Sequence, residues 1–485
     1  MKVLFVKFVR VQKADMTEDQ GSFEENEFLG NSLKKFEEMR RRKTQYFFDV
    51  DTLINLIDHY FEVFDFDSAQ EVTNYARSIH PDCSTFILKE AELLALKGRK
   101  EMSLALLEKV ERVAPYDPEV YLIKGNIYSI LQMNNHAISS FKKALTLADE
   151  QKDDIYFRIG ISYQNDGNFK VALEYYNLCL IENADHGACI SEIVACCELG
   201  ELFEEGIQSI NRLIDENPYH CLAWYHLGEL YTKQGNFDYA LKAFDYCLLI
   251  NDRFAPAYLD MAQVYLMNDQ FEEAIAAYKT AFEYCHPDAY TYYNLGECYE
   301  QLKKWVEARE YYQKAIKSDP FMAQAWYGIG VTYEEEERWY EAMYYIKKAI
   351  ENDDSNGEYW LALGDCEYQL GNLVEADGCY NKSINLDPDN IDTWIAYSDL
   401  LHDCNMDVRS ATLMSQAIAN HPHVIEFNYR LVAYLFLVGK IEESMIELEK
   451  ALHLNYNLHP VIYDIAPAMQ HHERTNWIIN TNKNL

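Results

Sequence analysis

Positive charge is scarce in this sequence. Its 485 residues hold 43 Lys and Arg against 79 Asp and Glu, a formal net charge of -36 at pH 7. So acidic a chain repels phosphate backbones, which argues against nucleic acid as a partner. The longest basic run, Arg40-Arg41-Arg42-Lys43, stands beside Glu37 and Glu38 and reads as the solvated side of a helix. Paired cysteine spacing is missing as well. The 12 cysteines include no CxxC, and Cys196 and Cys197 are adjacent, so they point to different helix faces. Thiols spread in this way serve as small hydrophobes in a reducing compartment, and a cytoplasmic location is expected. No apolar run approaches the ~18 residues that a membrane span needs.

Catalytic signatures are absent too. There is no phosphate loop, no dinucleotide glycine fingerprint and no HExxH. His471-His472 and His421-Pro422-His423 lack the i, i+4 spacing that sets two ligands on one helix face, and His402 and Cys404 diverge on a helix. Carboxylate pairs occur throughout so acidic a chain and carry no catalytic information. No catalytic residue, cofactor or metal ligand is assigned, and no enzyme is expected.

What the sequence does hold is a period. From Ala289, residues Tyr292, Leu295, Gly296 and Tyr299 fall at helical spacing on one face. Ala308, Tyr312, Ala315 and Ile316 do the same one helix later, and Pro320 ends that helix. Such a pair cannot bury its own apolar face, and its neighbour starts 34 residues on with Trp326, Ile329, Gly330 and Tyr333. Units start at residues 50, 84, 118, 153, 187, 221, 255, 289, 323, 357, 391 and 425. One step, from 118 to 153, is a residue longer, and the linker Ala148-Asp149-Glu150-Gln151 absorbs it. A period this regular implies an all-α repeat array, in which contacts pass between neighbours. Gly98, Gly167, Gly235, Gly371 and Gly439 fall between the two helices of their units, where a left-handed residue ends the first helix.

Residues 50–458 resemble the tetratricopeptide repeat family. The early large residue is matched by Trp224, Tyr258, Tyr292, Trp326, Trp360 and Trp394, and the Leu-Gly pair by Leu227-Gly228, Leu295-Gly296 and Leu363-Gly364. The tyrosine ending that face is matched by Tyr231, Tyr265, Tyr299 and Tyr333, the second-helix alanine by Ala240, Ala274, Ala308 and Ala342, and the closing proline by Pro218, Pro320 and Pro388. The match is weaker in the unit from 84 (Ala91, Ser103), the unit from 187 (Val194, Cys197, Gly206) and the unit from 391 (Ser398, Ser410). The resemblance implies a right-handed superhelical solenoid of about twelve helix-turn-helix repeats, with the first helix of each unit on a concave wall.

Around the repeats, residues 1–30 read as a flexible acidic segment and 31–49 as an N-terminal capping helix. Residues 1–15 form a disordered leader, or Met16 is the native start. Residues 459–485 read as a C-terminal capping helix, the first half of a thirteenth unit, with a frayed polar tail from His471.

With no reaction centre in view, surface recognition remains. The wall positions of the later units hold Tyr293, Asn294, Glu297, Glu300, Tyr327, Glu334, Asp365, Tyr368 and Asp399. Tyrosines among carboxylates suit an extended peptide that carries Lys or Arg, through cation–π and charge-assisted contacts. The wall of the early units is more apolar, with Ile54, Phe61, Leu88, Leu96, Leu122, Ile123, Phe157 and Ile161. It reads as a contact site or as a face covered by the chain's own N-terminal segment. Family members that bind chaperone tails use lysine where this chain has Leu122 and Phe157, so that role is not expected even though Asn126 fits one clamp position. The resulting expectation is a scaffold or adaptor for a protein partner, with no nucleic acid and no membrane. A regulatory or specificity subunit of a larger enzyme complex and a self-assembling solenoid are the alternatives.

Overall fold

The computed structural model describes residues 20–42, 46–150 and 152–483. The possible leader and the Met16 start lie outside them. Among the described residues every element is helical. The chain forms two compact units, divided between Val264 and Tyr265.

Twelve helix pairs make up the repeats, numbered here 1 to 12. In the first unit the first helices are Val50–Glu62, Ser84–Leu96, Pro118–Ile130, Lys152–Asn165, Gly187–Gly200 and Cys221–Lys233. Repeat 4 begins at Lys152, one residue ahead of the start counted from the period. In repeats 8 to 12 the pairs are Ala289–Gln301 with Trp305–Ser318, Ala323–Glu334 with Trp339–Asn352, Gly357–Gln369 with Leu373–Leu386, Ile391–Asp403 with Asp407–Asn420, and Ile425–Leu437 with Ile441–Leu454.

The turn between the two helices has one conformation throughout. Gly98, Gly167, Gly235, Gly371 and Gly439 have φ between 75° and 86°, and Phe64, Gln132, Glu201, Asp269, Lys303, Glu337 and Asn405 have φ between 54° and 59° at the matching places. The left-handed residue lets the chain reverse while the next amide bonds back to the helix, as Arg338 N does to Tyr333 O at 2.9 Å. A side chain there costs about 1–2 kcal/mol relative to glycine, partly offset by glycine's greater freedom in the unfolded chain. Glu337→Gly is therefore expected to stabilise repeat 9 by about 0.5–1 kcal/mol. Slower hydrogen exchange at the Arg338 amide is the readout; unchanged or faster exchange contradicts it.

Within a repeat, the glycine of the first helix faces a large side chain of the second. A Cβ on Gly296 would lie 2.6 Å from the Tyr312 ring; Gly125 faces Phe141, Gly160 faces Tyr176, Gly228 faces Phe244, and Gly364 faces Tyr380 in the same way. The Tyr312 ring is closed from the other side by Gly328 of repeat 9, whose Cβ would also stand 2.6 Å away. The weaker repeats adjust by other means. Gly206 of repeat 5 leaves room for the Cys197 thiol. Ser103 Oγ donates to Ala91 O at 2.6 Å, and Ser444 Oγ to Val432 O at 2.8 Å, so hydroxyls at the alanine position are satisfied by the facing helix. The tryptophans anchor the preceding loop: Trp326 Nε1 donates to Pro320 O at 3.0 Å and Trp394 Nε1 to Pro388 O at 2.9 Å.

Both ends differ from expectation. The N-terminal helix runs Gln20–Arg42, so the expected start at 31 lies inside it. Phe36 packs on Phe48 and Tyr75 of repeat 1. Arg40 is not merely solvated, because it pairs with Glu37 and with Glu71, the latter at 2.6 Å. At the other end the tail is not frayed. A short helix Val461–Ile465 leads through a 3-10 turn, Pro467–His471, into a helix Glu473–Asn482. Thr475, Ile478 and Ile479 share one face of that last helix and are buried.

Candidate functional site

The candidate wall residues all lie in the second unit, on the first helices of repeats 8 to 11. The structure separates them into two groups. Tyr293, Glu297, Glu300, Tyr327, Glu334 and Asp365 are half-buried and form one electrostatic cluster. Asn294, Tyr368 and Asp399 are engaged elsewhere. Asn294 is buried, and its Nδ2 donates to Tyr278 Oη at 3.3 Å. Tyr368 donates its hydroxyl to Asp403. Asp399 accepts from Arg430 Nη1 at 2.6 Å, which neutralises it. All three side chains already have partners within the chain. Asp399 and Tyr368 meet side chains of the following repeat and Asn294 one of the preceding repeat, which one-repeat spacing does not reveal.

The clustered acids are raised above the ordinary carboxylate range. Burial, with repulsion from Glu297, Glu335 and Glu358 and against the stabilising Tyr312 hydroxyl, raises the Glu300 carboxyl to about 7. Burial, then Asp365 and Glu335, raises Glu334 to about 7 as well. Burial lifts Glu297, and it lifts Asp365 despite the Tyr380 hydroxyl. Three cations of repeats 8 and 9 are committed to other acids: Arg309 pairs with Glu336 at 3.0 Å, Lys347 with Glu367 at 2.9 Å, and Arg338 with Glu341 at 2.6 Å. Among the described residues, Glu297, Glu300, Glu334 and Asp365 have no Lys, Arg or His within ion-pair distance.

Sequence reading missed part of this wall. Tyr312 Oη donates to Glu300 at 2.7 Å and Tyr380 Oη to Asp365 at 2.6 Å. Both tyrosines come from second helices, fill the glycine notch with their rings and surface as hydroxyls under the acids. The signal was present as a glycine and a tyrosine sixteen residues apart (Gly296 and Tyr312, Gly364 and Tyr380). Tyr290, Tyr359 and Glu358 also join the cluster; the Tyr327 and Tyr359 rings lie 4.7 Å apart.

The apolar wall of the early repeats is not an open lining. Phe61, Leu88, Ile123 and Phe157 are buried in the packing between repeats, and Ile54, Leu96, Leu122 and Ile161 are half-buried beside them. No group of three or more His, Cys, Asp or Glu placed to hold a metal occurs among the described residues, and no helix there is long and apolar enough to cross a membrane.

Family models described as tetratricopeptide repeat match residues 118–151, 153–186, 222–253, 252–320, 304–357 and 357–390. Photosystem I assembly protein Ycf3 of Prochlorococcus marinus is 32% identical over 102 residues, 20% of this chain and 59% of that protein. Anaphase-promoting complex subunit 3 of Schizosaccharomyces pombe is 26% identical over 185 residues, 37% of this chain and 22% of that one. The chain thus spans little more than half the length of the Ycf3 relative. Among solved structures, YrrB, a TPR protein with an unusual peptide-binding site, aligns with 39% of this chain and 96% of its own at 21% identity and a TM-score of 0.35. The Cut9-Hcn1 structure aligns with 80% of this chain and 97% of its own at 14% identity and a TM-score of 0.38.

Proposed function

This chain is a tetratricopeptide repeat protein, and we propose that it is a non-enzymatic scaffold that holds an extended protein segment carrying Lys or Arg against the first helices of repeats 8 to 10. One observation supports the reading: four half-buried carboxylates, Glu297, Glu300, Glu334 and Asp365, lack a cation within ion-pair distance. An arriving guanidinium or ammonium supplies the missing charge, and Tyr293 and Tyr327 offer rings for the same groups. Likeness to a named assembly protein supports a role in bringing proteins together. The affinity is spread over several contacts, so single substitutions act modestly.

The test is affinity capture from native lysate with wild type and a Tyr293→Ala, Glu297→Lys, Tyr327→Ala variant. Partners held by this wall are expected to fall about tenfold or more in the variant, and to weaken as salt rises. Equal capture by both proteins removes this wall as the binding site. A second reading, a specificity subunit fixed to a larger enzyme complex, draws on the likeness to the anaphase-promoting complex subunit. A stoichiometric enzyme that co-purifies with both forms favours it.

A further inference from the structure

Half of the cysteines fall in repeats 4 to 6, where Cys179, Cys189, Cys196, Cys197, Cys221 and Cys247 stand. Most of them are sealed in the core. One pair is different. Cys221 opens the first helix of repeat 6, Cys221–Lys233, and Cys247 lies near the end of the second, Phe237–Ile250. Their Sγ atoms are 2.9 Å apart. Cys247 is buried, whereas Cys221 is half-exposed. The repeat register creates this meeting: in repeat 10 the same two places bring Ser383 Oγ to Gly357 O at 2.8 Å.

We propose that Cys221 and Cys247 are a reversible dithiol–disulfide pair that staples the two helices of repeat 6. A sulfur–sulfur bond of roughly 2.05 Å asks the two atoms to close by less than ~1 Å. The oxidant is a low-molecular-weight disulfide. The Cys221 sulfur, reachable from solvent, attacks one sulfur of that disulfide and gives up its proton to the first thiol released. Cys247 then attacks the Cys221 sulfur of the mixed disulfide, expels the second thiol and hands it the Cys247 proton. Two protein thiols are oxidised, one external disulfide is reduced to two thiols, and a small thiol reverses the sequence. Burial, then the hydrogen bond with Cys221, raises the Cys247 thiol well above its ordinary value, so the solvent-reachable Cys221 is the one that meets the external disulfide first.

Full-length protein is incubated with oxidised glutathione, quenched with iodoacetamide and mapped by mass spectrometry without reduction. The expected product is a Cys221–Cys247 cross-linked peptide, with both thiols lost to alkylation and regained after dithiothreitol. Cys247→Ser is expected to trap glutathione on Cys221, while Cys221→Ser leaves Cys247 unmodified. Cys179 and Cys189, both fully buried, serve as the unreactive control. Alkylation of both Cys221 and Cys247 after oxidation overturns the proposal, as does glutathione persisting on wild-type Cys221. Neither variant needs to be stable for the wild-type map to decide.

Discussion

Gly296→Leu is expected to destabilise the second unit by about 3 kcal/mol or more, the upper end of overpacking costs. A Cβ alone at that position stands 2.6 Å from the Tyr312 ring, and the remaining leucine carbons have nowhere to go. Tyr312 cannot yield, because Gly328 of repeat 9 closes the other side of the ring and its hydroxyl is tied to Glu300 at 2.7 Å. Repeat 5 shows the alternative solution, with Val194 and the buried Ile210 at the matching places. Gly296→Val with Tyr312→Ile is therefore expected to recover part of the loss, with a coupling of about 1 kcal/mol or more between the two sites. Ala308, fully buried, gives no room for Ala308→Phe either. Thermal melting and hydrogen exchange of the repeat 8 helices report the effect. Melting of Gly296→Leu within a degree or so of wild type contradicts the glycine–tyrosine register.

The second large effect is on pH. Glu300 and Glu334 are held at about 7, above an ordinary carboxyl value of 4.5. Between those values the folded chain binds protons that the unfolded chain does not, so stability falls as pH rises through this window. Each group contributes at most ~3 kcal/mol, and solvent screening at a half-buried wall brings this nearer ~1 kcal/mol. The helix-capping carboxylates Asp49, Asp65 and Asp288 work in the opposite sense, because hydrogen bonds from Thr52, Ser68 and Thr291 lower them; the stability they add is lost only as pH falls below ~4. Melting temperature is thus expected to peak near pH 5 and to decline toward pH 8. A Glu300→Gln, Glu334→Gln variant is expected to flatten the decline and to melt higher than wild type at pH 8. A wild-type melting temperature that climbs from pH 5 to pH 8 contradicts the sign. If these carboxylates receive a cationic segment, its affinity must weaken over the same interval as pH falls, because protons then compete for the same oxygens.

The repeat lengths and turn positions were legible because glycine, proline and small residues recur at places where only they fit. Gly371 marks a left-handed turn directly, whereas Glu337 and Lys303 hold the same conformation and show it only through the period. The candidate wall was readable by position but not by state. Asp399 and Asp365 occupy the same place in successive repeats, yet one is neutralised by Arg430 from the following repeat and the other is left without a cation. That difference depends on which long side chain arrives from a neighbouring helix. At the C-terminal end, Thr475, Ile478 and Ile479 pass for a polar tail because asparagines and histidines surround them, although their spacing is helical.

The helix Glu473–Asn482 closes a face that a stack of repeats otherwise leaves open. A stack of similar layers has a sticky last layer, since whatever attracts one layer to the next attracts the next molecule too. Here the apolar flank of repeat 12, including Met445, Leu448 and Leu452, is occupied by Ile462, Met469, Ile478 and Ile479 of the same chain. The face that a further layer would cover is filled from within the same chain.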